Sequence, residues 1–326
     1  MTKAVIVGTG SCLPERILTN AELEQMVDTS DSWIVSRTGI SERRIAGPGE
    51  NIHKVAAQAA RRALEAAQWT PGDLDAIILA TVSPHMSMPS TACFVQAELE
   101  AFNAFAYDIS AACAGFTYGI DLASKYICAQ PDMKILVIGA ENLSTRMNWQ
   151  DRNTCVLFGD GAGAAVLTGE SGGERGILGA KLQSDGRLWR LLYTQGPPSM
   201  NKDLELPDWQ GPFIQMNGSE LFKNAVRIME SSVKELLAKQ NLDINDIDLM
   251  IPHQANIRII NNLKERLAVP EEKVFTNLNR YGNTSSASIP IALDEANREG
   301  RLQSGDLVLL CTFGAGLAWG ALLLRW

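Results

Sequence analysis

Cys113 lies in Asp108-Ile-Ser-Ala-Ala-Cys-Ala-Gly-Phe116, where a short apolar strand gives way to a helix-forming run. Only small residues crowd it: Ala111, Ala112, Ala114 and Gly115. A tight strand-to-helix turn needs that, since a bulky neighbour would block both the turn and access to the sulfur. A thiol at a helix N-terminus faces unpaired N–H groups and the positive end of the dipole, which favour the nucleophilic thiolate. A lone cysteine in an apolar stretch is more often a small core hydrophobe. Distant segments shift that balance. Pro252-His-Gln-Ala-Asn256 places one of three histidines at the end of an apolar strand, where catalytic groups gather in α/β sheets. Arg280-Tyr-Gly-Asn283 sets an asparagine on a glycine-led turn before a helix, a place that by itself suits a helix cap. Thr312-Phe-Gly-Ala-Gly316 follows the apolar strand Leu307–Cys311 with small residues that bare their N–H groups, as an oxyanion hole requires.

Other patterns carry less. His53 and His85 have neither a partner motif nor a metal-type spacing. Val7-Gly-Thr-Gly10 follows a strand, but Leu13 occupies the third glycine position of a dinucleotide loop and Pro14 comes next. The next helix starts only at the capping box Thr19-Asn-Ala-Glu22. Gly159-Asp-Gly-Ala-Gly163 leads into a strand instead of a helix. Nucleotide-cofactor binding is therefore not expected, and no zinc, iron–sulfur or calcium pattern is present in the sequence.

The elements that must position these residues repeat. A helical run through Ile52, Val55, Ala56, Ala59, Ala60 and Ala63 leads to Pro71-Gly-Asp-Leu-Asp75 and the strand Ala76–Val82. A second, through Phe222, Ala225, Val226, Met229 and Val233, leads to Ile244-Asn-Asp-Ile-Asp248 and Leu249–Pro252. Asp75 and Asp248 stand 173 positions apart, and the strands opening at Lys134 and Asp306 stand 172 apart. A near-constant offset implies two similar α/β halves, residues 1–170 and 171–326, with mixed or parallel sheets covered by helices. The register places Cys113 opposite Gly282-Asn-Thr-Ser-Ser-Ala-Ser288, so each half starts a buried central helix at a functional-looking turn. Between Gly169 and Gly218, with Gly196, Pro198 and Pro207 breaking regularity, loops over a pocket are expected.

A chain of 326 residues, 46% hydrophobic and 20% charged, can bury one large two-lobed domain. A net charge of −8 gives no electrostatic reason to expect a nucleic-acid partner. Six scattered cysteines with no CxxC, and no leader segment or membrane-length apolar run, predict reduced thiols and a cytoplasmic protein.

Together these segments resemble the beta-ketoacyl-[acyl carrier protein] synthase III family of the thiolase superfamily. The resemblance spans the chain: Gly8-Thr-Gly10, Asp28-Thr-Ser-Asp-Ser-Trp-Ile-Val-Ser-Arg-Thr-Gly39, Ala112-Cys-Ala-Gly-Phe116, Phe158-Gly-Asp-Gly-Ala-Gly163, Pro252-His-Gln-Ala-Asn256, Gly282-Asn-Thr-Ser285 and Phe313-Gly-Ala-Gly316. It implies a five-layer αβαβα duplication and condensation of an acyl-CoA primer with malonyl-acyl carrier protein. It also implies a Cys113, His253 and Asn283 triad, and an oxyanion hole from the N–H groups of Cys113 and Ala315. Coenzyme A would lie along Thr29, Trp33, Arg37, Arg152, Gly218, Phe222, Ala255 and Asn256, with adenine between Trp33 and Arg152. The resemblance further implies a basic carrier-protein patch at Lys223, Arg258 and Arg266, an acyl pocket with Met88 and Phe313, a homodimer, and no metal or redox cofactor. Met88 stands where family members selective for short straight primers often carry Phe, and methionine adapts to varied shapes. A same-fold enzyme of secondary metabolism, a cysteine-dependent thioesterase and a non-catalytic binding subunit are the competing expectations.

Overall fold

The computed structural model describes residues 2–197, 200–201 and 211–326. Two sheets lie at its centre. The first has five strands, in the order Thr2–Cys12, Asp160–Ser171, Ile135–Asn142, Ala76–Ala80, Phe105–Ile109. The second has four, in the order Leu249–Pro252, Leu307–Gly314, Ala318–Arg325, Gly176–Ser184. Strand Ala76–Ala80 runs parallel to both its neighbours, as Leu249–Pro252 does to Leu307–Gly314, while the remaining pairs are antiparallel.

Period-two alternation splits each sheet between two apolar layers. Ile78 and Val137 face a central layer formed by helices Gly115–Ala129 and Ser288–Arg298, which also receives Val308 and Leu310 from the second sheet. Ile77, Leu79, Leu136 and Ile138 face helices Ile52–Ala67 and Thr91–Leu99 outside the first sheet. Leu309, Cys311 and Phe313 face helices Gly218–Gln240 and Ile257–Leu267 outside the second. Helix, sheet, helix, sheet, helix is a five-layer sandwich. On the central helices Phe116, Ile120, Ile127 and Leu293 are wholly buried. At roughly 1.5–3 kcal/mol for each large apolar side chain, the middle layer is a main source of stability.

The duplication is visible in hydrogen bonds. Asp75 and Lys134 exchange backbone and side-chain bonds (Asp75 N to Lys134 O, 2.9 Å; Lys134 N to Asp75 Oδ2, 2.8 Å), and Asp248 and Leu307 do the same at 2.9 and 2.8 Å. The capping boxes Thr70/Asp73 and Asp243/Asp246 correspond in the same way. Every one of these pairs lies 173 apart, so the partner of Lys134 is Leu307, one residue beyond the strand opening at Asp306. Ala112 and Ser285, also 173 apart, share an unusual positive φ of 45° and 49°. The structural counterpart of Cys113 is therefore Ser286.

The first glycine motif finds a structural explanation. Gly8 and Gly10 lie inside the strand Thr2–Cys12 against helix Ile52–Ala67, where a Cβ on Gly10 would stand 2.4 Å from Ala59 O. They bring strand and helix together, and no loop forms there. The stretch from Gly169 to Gly218 differs from expectation. Gly176–Ser184 is a strand of the second sheet, Gly186–Leu191 is a short helical turn, and Leu192–Thr194 pairs with Ile214–Met216. Gly176 and Gly179 interrupt its alternation, while Ile177 and Leu178 reach the apolar layers on opposite faces of the sheet. Pro198 and Pro207 lie outside the described residues.

Candidate active site

Cys113 sits on the turn Ala112–Ala114, between strand Phe105–Ile109 and helix Gly115–Ala129. The positive φ of Ala112 is a strained state for a residue with a Cβ and is tolerated where the surroundings fix it. The surroundings do so here. Thr312 Oγ1 donates to Cys113 O at 2.8 Å, and Gly314 lies so close that a Cβ there would be 2.7 Å from Cys113 N.

His253 follows the strand Leu249–Pro252, and its N–H donates to Cys311 O at 2.8 Å. Its ring is buried, and Nδ1 has no partner among the described residues. Asn283 is held on both sides of its backbone: its N–H donates to Leu157 O at 2.8 Å, and its carbonyl accepts from Gly159 N at 3.0 Å. Its Oδ1 accepts from Ser285 N at 2.8 Å, which commits the oxygen and leaves the amide NH2 for the cavity.

Two cavities meet at Cys113. One, of about 120 Å³, is lined by Cys113, His253, Asn283, Phe313 and Gly314 and by Gly218, Phe222, Ala255 and Asn256. The other, of about 810 Å³, is lined by Cys113, Ala315, Ser285, Met88, Thr81 and Leu143 among others. The expected triad shares a single chamber. Phe313 falls with the triad and not in the Met88 chamber as expected, because period-two alternation along Leu307–Gly314 turns it toward the outer-helix side of its sheet. Leu192, from the stretch expected to be loop, lines both cavities.

Thr29, Trp33, Arg37 and Arg152 form a separate group. The guanidinium groups of Arg37 and Arg152 lie 5.3 and 5.2 Å from the Trp33 ring centre. Arg152 Nη1 also donates to Asp28 O at 2.7 Å, and Thr29 Oγ1 is buried without a partner among the described residues. Asn256 links this group to the smaller chamber, donating from Nδ2 to Arg37 O at 3.0 Å while its Oδ1 caps helix Ile257–Leu267. In the basic trio, Lys223 pairs with Glu220 and Arg266 with Glu230. Arg258 lies 5.6 Å from the Phe222 ring centre, with no carboxylate partner among the described residues.

Burial dominates the ionisation of the site. It pushes the Cys113 thiol up to about 12, with the Ser285 hydroxyl pulling it down and the charge of Glu141 pushing it further up. It pushes His253 down to about 3. The helix terminus therefore does not leave a resting thiolate: the Cys113 thiol and the His253 imidazole are both neutral. Glu141 and Ser285 were not expected to matter. Glu141 is one acid at the end of an apolar strand, and its neighbours come from segments 58–60 and 145 residues away. Ser285 lay inside a recognised motif but had no assigned role.

A duplicated α/β chain folded into one five-layer sandwich, with a cysteine on a strained turn sharing a chamber with a histidine and an asparagine, has the form of a condensing acyltransferase of thiolase type. Family models described as 3-oxoacyl-[acyl-carrier-protein (ACP)] synthase III match residues 107–186, and residues 237–326 for the C-terminal part. A beta-ketoacyl-[acyl-carrier-protein] synthase III of Desulfotalea psychrophila is 55% identical over 322 residues, covering 99% of each chain. The crystal structure of the Aquifex aeolicus 3-oxoacyl-[acyl-carrier-protein] synthase III superposes with a TM-score of 0.93 at 50% identity, covering 99% of this chain and 100% of that one. The Thermus thermophilus enzyme gives 0.90 at 44%, covering 98% of each. The chain belongs to the beta-ketoacyl-[acyl-carrier-protein] synthase III family, whose condensation reaction initiates fatty acid biosynthesis. Among the described residues no helix is long and apolar enough to cross a membrane.

Proposed function

We propose that the protein condenses an acyl-CoA primer with malonyl-acyl carrier protein, with Cys113 carrying the acyl group between the two steps. The observation that carries this is the place of Cys113 where the two chambers meet. The larger one receives the primer chain, and the smaller one, which ends at Asn256 beside the Trp33 cluster, receives the thioester arm.

Cys113 sulfur attacks the acyl-CoA thioester, the C–S bond to coenzyme A breaks, and the thiol proton leaves with the CoA sulfur. His253, neutral at every working pH, relays that proton. Malonyl-acyl carrier protein then replaces coenzyme A. Its carboxylate leaves as carbon dioxide, and the electron pair stays as an enolate whose oxygen accepts hydrogen bonds from His253 and the Asn283 amide. The carbanion attacks the acyl-Cys113 carbonyl, and the N–H groups of Cys113 and Ala315 hold the tetrahedral oxyanion. Each such donor is worth about 2.7–4 kcal/mol of barrier. Collapse releases beta-ketoacyl-acyl carrier protein, and Cys113 takes up a proton. Residues 1–170 supply the nucleophile, and residues 171–326 supply the imidazole, the amide and Ala315.

For coenzyme A, Arg152 exchanges its contact with Asp28 for one face of the adenine while Trp33 takes the other, and Thr29, Arg37, Gly218, Phe222, Ala255 and Asn256 line the path. For the acidic carrier protein, Arg258, whose guanidinium lies over the Phe222 ring that lines the smaller chamber, is the leading contact, since Lys223 and Arg266 must first give up Glu220 and Glu230. Met88, 81% exposed, faces a second copy of the chain in a homodimer as well as lining the acyl chamber.

Mass spectrometry after incubation with acyl-CoAs of increasing length tests this. An acyl mass is expected on Cys113 without malonyl-acyl carrier protein, and none on Cys113→Ser. Full acyl transfer by Cys113→Ser overturns the assignment. Steady CoA release with no lasting acyl-enzyme marks a thioesterase instead.

A further inference from the structure

Duplication gives each catalytic residue a counterpart. At the 173-residue offset Cys113 corresponds to Ser286, and Gly314, the glycine pressed against Cys113, corresponds to Glu141. Where one strand offers its nucleophile an edge without a side chain, the other presents a carboxylate to the serine in the nucleophile's place. Glu141 is wholly buried. Ser286 Oγ donates to its Oε1 at 2.9 Å, while Ser83 Oγ, Ser83 N and Thr81 Oγ1 donate to Oε2 at 2.6, 3.1 and 3.2 Å. Val82 N points between the two oxygens. Ser83 Oγ itself accepts from Asn142 N at 2.9 Å, so its own proton is committed to Glu141. The Ser286 hydroxyl shares its one proton between Glu141 Oε1 and Ala80 O, which lies 2.8 Å away, while the other partners of Glu141 are all donors, as a carboxylate that accepts needs. Burial raises Glu141 above its ordinary carboxylate value, and these donors offset only part of that rise. Thr81 and Val82 line the large chamber together with Cys113 and Ser285.

We infer that Glu141 is a positioning residue for acyl transfer: from the filled copy of the catalytic pocket it locks the Thr81–Ser83 wall of the acyl chamber to the turn Ser285–Ala287 beside Cys113. The inference rests on Cys113 being the acyl carrier. Its negative charge also opposes loss of the Cys113 proton. Among the described residues the ionisable groups near that thiol are Glu141, from strand Ile135–Asn142, His253, after strand Leu249–Pro252, and Asp108, which lines the large chamber from strand Phe105–Ile109 and accepts from Thr91 N and Ala92 N, while Ser285, Thr312 and Gly314 are uncharged.

The test compares Glu141→Gln and Glu141→Asp with the wild type, by steady-state kinetics and by iodoacetamide labelling of Cys113 across pH. In Glu141→Gln, kcat is expected to fall roughly ten- to hundredfold through misplaced reacting groups, with KM for acyl-CoA within about twofold. The labelling midpoint should move down by about one pH unit as the like charge is lost. Glu141→Asp, which keeps the charge, should hold the midpoint and recover part of kcat. A folded Glu141→Gln with wild-type kcat and midpoint overturns the inference, as does a Glu141→Asp indistinguishable from it. If Glu141→Gln does not fold, Ser286→Ala decides. Removing that donor should lower kcat roughly fivefold at unchanged KM, and wild-type kcat in Ser286→Ala overturns the inference. A Cys113→Ala variant that still condenses would instead overturn the nucleophile assignment. An inactive Cys113→Ala beside a wild-type-like Glu141→Gln removes only the role of Glu141.

Discussion

Burial keeps both Cys113 and His253, the groups given the central roles in the proposed reaction, uncharged. His253 is held down to about 3, far below the roughly 6.5 of an imidazole in the unfolded chain. Above about pH 6.5 neither state binds the proton, so there is no effect. Between about 6.5 and 3 the unfolded chain takes one up and the native protein does not, so stability falls as pH falls, by at most about 1.4 kcal/mol per pH unit. His253→Gln removes that term. The melting-temperature gap between wild type and variant should therefore narrow on acidification from about pH 7 to about pH 5; a constant gap would contradict it. Decarboxylation by a neutral donor likewise predicts no break in rate near pH 6.5. Cys113, His253 and Asn283 stood out in the sequence because type and local motif coincide at each, and the fold brings the three to one chamber. Glu141 did not stand out, since its meaning depends on donors that only the fold brings to it.

At the scale of elements, glycines mark where one backbone must approach another. Gly314→Ala would set a Cβ 2.7 Å from Cys113 N and 2.9 Å from Cys113 Cβ, so the turn Ala112–Ala114 has to move. Gly10→Ala would press on Ala59 O and Ala63 N, both at 2.4 Å, prying helix Ile52–Ala67 from the first sheet. The two substitutions should separate. Gly314→Ala should lose acylation of Cys113 by roughly a hundredfold, as a misplacement of about 1 Å does. Gly10→Ala should lower stability by about 1–3 kcal/mol, as overpacking does, while each folded molecule stays active. Melting temperature and the acylation rate per folded molecule check both. The duplication itself was readable from apolar runs at a fixed offset, and only its register slipped by one at Lys134. Strand Gly176–Ser184 was hidden because glycines break its alternation and it meets apolar layers on both faces, so neither period shows in the sequence.

For the whole molecule, the first sheet ends at strand Phe105–Ile109, whose outer edge pairs with no strand among the described residues. Phe105 is 48% exposed on it, and Phe102 is 72% exposed just before it. An apolar open edge is a hazard that chains cover or blunt with charge, and here neither Phe102 nor Phe105 is charged. A second copy laid against that edge in a homodimer would cover it and bring Met86 and Met88, also exposed, to the interface. Such an assembly would reach the proposed chemistry, because Met88 lines the large chamber that Cys113 opens onto and a rearranged neighbour would change its wall. Phe105→Lys places a charge at the edge without touching either chamber. It is expected to shift the protein from dimer to monomer in light scattering at micromolar concentration and to reduce acylation by long acyl-CoAs more than by acetyl-CoA. A wild-type protein that is already monomeric, or a Phe105→Lys monomer with an unchanged chain-length profile, would show that each subunit shapes its acyl chamber alone.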